Sequence, residues 1–114
     1  MRQSALLYSR ERLSVDCVPV MTSGTYAAVG EYIGRVPHAS TGHHECHVSV
    51  TQHRRIHRFA VFYTRRGAGA NNVHIARDLR ISWVGDALIL GIKQRGGLYT
   101  GITDASLARK ALSK

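Results

Sequence analysis

The stretch Ala87-Leu88-Ile89-Leu90-Gly91-Ile92 is apolar at odd and even positions alike, so neither of its faces can meet water. An apolar run this short has the length of a strand rather than a helix, and a strand hidden on both sides belongs in the middle of a sheet. Gly85-Asp86 before it supplies a tight turn, and Lys93-Gln94-Arg95-Gly96-Gly97 after it supplies a polar loop with two glycines able to take positive φ. Residues 98 to 102 then read as its returning partner. Everything else in the chain has to be arranged around that central strand.

Upstream, Val73, Ile75, Leu79, Ile81 and Trp83 share one parity, while His74, Asp78, Arg80 and Ser82 take the other. This is the two-residue period of a half-buried strand. Arg77 breaks it, so the pattern predicts a short strand near 73–76 and a better one near 79–84. After residue 102 the period changes. Leu107, Ala108, Ala111 and Leu112 line one side of a helix, Thr103 and Asp104 suit its start, and Arg109, Lys110 and Lys114 suit its end. The expected fold is therefore α+β: a mostly antiparallel sheet, a C-terminal meander over 79–102, and a short helix over 104–113.

The first half of the chain adds strands at 46–51 and 59–64. In the former, Val48 and Val50 face one way and Ser49 and Thr51 the other; in the latter, both parities are strand formers. Residues 25–36 have helical spacing at Tyr26, Val29 and Ile33, but two glycines and several β-branched residues favour a strand. For residues 1–22 the pattern suggests a helical turn around 5–10 and a strand through Leu13, Val15 and Cys17, with Pro19 ending it or lying at a sheet edge. Residues 37–42 and 65–72 are loops. No repeat and no linker divides the 114 residues, which read as one domain.

Charge sets the functional expectation. Sixteen Lys and Arg stand against seven Asp and Glu, a formal net charge of +9. Lys93, Lys110 and Lys114 are the only lysines, and the remaining cations are arginines, whose planar forks match phosphate and carboxylate. Arg54, Arg55, Arg58, Arg65 and Arg66 form a basic string interleaved with Phe59, Phe62 and Tyr63 and leading into Gly67-Ala68-Gly69; Arg95 adds a further cation. Arginine forks and backbone N–H groups hold phosphate oxygens, and an exposed ring stacks on a base. The leading expectation is a non-catalytic binding module for a polyanion, nucleic acid first. The competing view makes the rings core and the arginines strand ends.

Six of the seven histidines fall between residues 38 and 57. His43, His44, Cys46, His47, His53 and His57 carry imidazole and thiol donors suited to zinc, and four of them would close a tetrahedral site. His43 with His47, and His53 with His57, have the i,i+4 spacing that shares a helix face; on a strand the same-face pair is His44 with Cys46. A two-cysteine, two-histidine finger is not formed, because only Cys46 precedes His53 closely. A zinc-binding domain is thus the alternative expectation, with no cofactor as the simpler one. A third is an assembly protein whose first 36 residues pair strands across a homodimer.

No paired-carboxylate motif, nucleophile elbow or phosphate-loop ending occurs, so an enzyme is not the expectation. No run approaches the ~20 apolar residues of a membrane-spanning helix. The apolar segment after Arg2 is short for a secretory signal, and Glu11 weakens a presequence reading. With only Cys17 and Cys46 for thiols, an intracellular setting is expected.

Overall fold

The computed structural model describes residues 2–8, 15–23, 26–27, 44–63, 72, 75, 77, 86–93 and 98–112. They contain seven strands: β1 (Arg2–Tyr8), β2 (Asp16–Ser23), β3 (Tyr26–Ala27), β4 (His44–Gln52), β5 (Arg55–Tyr63), β6 (Ala87–Ile92) and β7 (Tyr99–Thr100). A helix, Ala105–Leu112, follows. The sheet order is β3-β2-β1-β6-β5-β4, with β7 also on β6. Every described ladder is antiparallel. The expected α+β architecture is the one observed.

The run that most constrained the sequence is indeed central. All six residues of β6 are buried. One edge of β6 pairs with β5 from Arg58↔Ile92 to Tyr63↔Ala87. Its other edge is shared end to end by β1, at Leu6↔Ile89 to Tyr8↔Ala87, and by β7, at Gly91↔Thr100 and Ile92↔Tyr99. The Ile102 N–H donates to the Ser4 carbonyl oxygen at 2.8 Å, tying the end of this hairpin to β1. The β6–β7 hairpin is the described part of the expected meander; residues 79–85 lie outside the described residues.

Parity divides the core into two faces. One carries Leu7, Val18, Val20, Ala60, Phe62, Leu88, Leu90 and Ile92. The other carries Leu6, Tyr8, Val50, Phe59, Val61, Ala87 and Ile89, and against it pack Ile75 and the helix residues Leu107, Ala108 and Ala111. The helix contacts β4, β5 and β6. Over β2, the same face leaves Cys17, Pro19 and Met21 exposed, alternating with buried Val18, Val20 and Thr22. Pro19 pairs opposite Ser4, in a part of β2 whose outer edge no described strand covers; this is an edge position of the expected kind. Asp104 is the helix N-cap: its Oδ1 accepts the Leu107 N–H at 3.2 Å and its carbonyl accepts the Ala108 N–H at 3.1 Å.

Three expectations are corrected. Residues 5–8 are strand, not a helical turn; Ala-Leu-Leu favours helix locally, but β1 lies between β2 and β6, and pairing on both sides outweighs that preference. Ile75 and Arg77 are helical, which removes the strand expected at 73–76. The cause is Asn72, fully buried, whose Oδ1 accepts the Ile75 N–H at 3.2 Å in N-cap geometry while its Nδ2 donates to the Tyr8 carbonyl at 3.0 Å. The strand expected from residue 59 begins at Arg55, because β4 and β5 form one tight hairpin. The remaining expectations for residues 9–14, 28–36, 37–42 and 65–71 fall outside the described residues.

Candidate nucleic-acid interface

The β4–β5 hairpin carries most of the residues singled out by the sequence. Its ladder runs from His44↔Tyr63 to Gln52↔Arg55, leaving His53 and Arg54 as a two-residue turn. Both have positive φ, 53° and 61°. Two-residue hairpin loops of this hand match the strand twist but suit Asn and Gly; imidazole and guanidine side chains occupy them here at a cost. The last β5–β6 rung is Arg58↔Ile92, so residues 55–57 and the turn extend beyond β6. At ~3.3 Å per residue, the ribbon runs ~10 Å past that rung, while the β6 chain continues into Lys93, whose N–H donates to the Leu98 carbonyl at 2.8 Å.

Register fixes where each side chain points. Arg55 and His57 share the helix-bearing face with Phe59, and Arg58 shares the opposite face with Ala60 and Phe62. Arg54 sits at the turn between them. All three arginines are exposed, as is Ile56 at 54%. They line a shallow concavity together with Ile56. Among the described residues no carboxylate pairs with Arg54, Arg55 or Arg58. β5 carries the chain away from the tip, and Tyr63 lies ~26 Å along the strand from Arg55. Arg65, Arg66 and Arg95 fall outside the described residues.

The same register separates the candidate metal ligands. Residues 44–52 and 55–63 are strands, so neither i,i+4 histidine pair gains a helical face. Cys46, opposite Val61, and His57, opposite Val50, are on the helix-bearing face but four residues apart, ~13 Å. His47, opposite Ala60, is on the other face, and His53 is in the turn. The backbone of His44 continues the Cys46 parity, and His43 falls outside the described residues. Among the described residues, no three His, Cys, Asp or Glu side chains come within metal-binding range of one another. Cys17 and Cys46 are both free thiols.

One cluster escaped the sequence. Glu45 Oε2 lies 2.7 Å from His47 Nε2 and accepts the Tyr99 hydroxyl at 2.7 Å. Tyr99 also tilts against Phe62, with ring centroids 5.7 Å apart. Partial burial, then the hydrogen bond and negative charge of Glu45, push the Tyr99 hydroxyl well above its ordinary value. The Glu45/His47 half was readable as i,i+2 neighbours on a strand; Tyr99 is 54 residues away and only the fold brings it in. The cluster clamps β7 across the sheet to β4.

No protein-family model, curated protein or solved structure matches the chain. Among the described residues no helix is long and apolar enough to cross a membrane.

Proposed function

We propose that this protein is a non-catalytic module that binds a polyanion, nucleic acid first, through the tip of the β4–β5 hairpin. The observation that carries the reading is the trio Arg54, Arg55 and Arg58, exposed at the end of the β4–β5 ribbon, where they line one concavity and have no carboxylate partner among the described residues. These solvent-facing guanidinium groups, without a carboxylate partner among the described residues, offer bidentate forks to phosphate. Arg55 and Arg58 leave the strand on opposite sides yet line one concavity with Arg54, so a single phosphate chain can meet all three. A DNA major groove admits a two-stranded ribbon of this kind. Arg65, Arg66 and Arg95 belong to the same reading as additional phosphate contacts.

Fluorescence anisotropy with a labelled blunt duplex tests this. The three tip arginines contribute about −2.7 to the log–log salt slope, a loss of ~40-fold between 50 and 200 mM salt from them alone. Replacing Arg54, Arg55 and Arg58 by Gln should flatten that slope by the same amount for every sequence alike. Binding that ignores both salt and these substitutions, or no binding to DNA, RNA or heparin, refutes the reading.

A further inference from the structure

On the helix-bearing face, between the hairpin tip and the start of the C-terminal helix, lies a cavity of ≈ 480 Å³. Its apolar lining includes Phe59, Ile102 and Leu107. Its basic groups all come from the hairpin: Arg55 and His57 on this face, with His53 at the turn and Arg58 at the margin. The opposing charge is Asp104, whose Oδ1 already accepts the Leu107 N–H at 3.2 Å as the helix cap. The attraction for an anion therefore arises from the hairpin and not from the helix end. An apolar recess flanked by guanidinium and imidazole on one side is complementary to a flat, weakly polar ring system joined to a phosphate. The size falls within the ~300–1,000 Å³ of pockets that take ligands of that class.

We propose that this cavity holds one nucleotide unit with its base out of the helical stack, the base against the apolar wall and the phosphate on Arg55 and His57. The unit is either a free nucleoside monophosphate or an unpaired residue of a strand. This rests on the polyanion reading of the tip and specifies what the tip prefers: nucleic acid with an unpaired base beside the cationic ribbon, over a fully paired one. At Gly91 the floor is closed by Thr100, whose Cγ2 lies 2.9 Å from where a Cβ would stand, so the recess ends on the β6–β7 pair.

The experiment compares three probes on the full chain by anisotropy and calorimetry: a blunt duplex, the same duplex with a single-nucleotide overhang, and adenosine 5′-monophosphate. Stacking of one base in a protein pocket corresponds to roughly tenfold tighter binding, and the overhang should gain about that over the blunt end. Thr103→Trp, at an exposed position on the cavity rim, should abolish the gain while leaving blunt-duplex affinity unchanged. Leu107→Phe is the second filling variant, should the first unfold. Equal affinity for blunt and overhanging duplexes, or a gain that survives both fillings, overturns the cavity proposal and leaves the tip reading standing. If the monophosphate binds and no duplex does, the cavity stands and the tip reading falls. No binding of any probe overturns both.

Discussion

The turn at His53-Arg54 is the place where stability and the proposed function pull apart, and replacing it by Asn-Gly measures both. With φ of 53° and 61°, each residue is held in the left-handed region, where a side chain costs roughly 1–2 kcal/mol. Arg54→Gly removes that cost but adds ~0.5–1 kcal/mol of chain entropy to the unfolded state, for a net gain of about 0.5–1 kcal/mol. His53→Asn contributes a few tenths more, since Asn visits this region readily and His only somewhat less so. The pair should stabilise by about 1 kcal/mol, which for a chain of this size raises Tm by ~3–6 °C. Urea unfolding followed by circular dichroism, with an unchanged m value, reads it directly. Arg54→Ala is the control, because it removes the same charge and leaves φ positive. Both variants should lose one phosphate contact, ~0.9 of the salt slope, yet only the glycine variant should gain stability. If Arg54→Gly is no more stable than Arg54→Ala, the backbone-strain argument is wrong.

Three further outcomes follow from buried or crowded groups. Asn72→Ala should cost about 1–3 kcal/mol in urea unfolding, combining a lost cap with the lost hydrogen bond to the Tyr8 carbonyl; a loss under 1 kcal/mol would mean one of the two bonds contributes nothing. Gly91→Ala should destabilise by ~1–3 kcal/mol through the contact with Thr100 Cγ2, and Thr100→Ser in the same chain should restore part of it. Tyr99 holds its proton in the folded state after an unfolded chain has released it near pH 10. The folded state then binds more protons, so stability should fall as pH rises above ~10; Glu45→Gln should lower the Tyr99 titration seen by ultraviolet absorbance, and an unmoved titration contradicts the role given to Glu45.

The sheet was legible where burial and local pattern agree. Residues 87–92 are apolar on both parities because strands flank them on both sides and both faces are covered, and β4 announces itself by the alternation of Val48 and Val50 with Ser49 and Thr51. Legibility failed where a single side chain changed the local choice. Asn72 turns an alternating segment into helix by capping the Ile75 N–H, and an asparagine among loop residues gives no sign of the buried Tyr8 carbonyl that fixes it in place. The hairpin turn was missed for a related reason: His-Arg lacks the Asn-Gly chemistry that marks such a loop, so His53 to His57 looked like an i,i+4 ligand pair. Once residues 44–52 and 55–63 pair, every inference from helical spacing lapses, and Cys46, His47 and His57 distribute over two faces.

That same register is what gives the arginines their meaning. Consecutive basic residues on a helix would fan around its axis, whereas at the end of a two-stranded ribbon Arg55 and Arg58 leave from opposite sides and, with Arg54 at the bend, line one concavity. A turn sequence chosen for stability would place a glycine where Arg54 stands. Strain retained at an exposed cation that has no carboxylate partner among the described residues is characteristic of a contact site. The exposed Ile56 between these cations extends the argument: an apolar side chain at the tip gains nothing from water but would gain from contact with the edge of a base or sugar. Replacing Ile56 by Thr therefore separates electrostatic attraction from fitted contact, because it leaves the charge untouched and should change affinity without altering the salt slope.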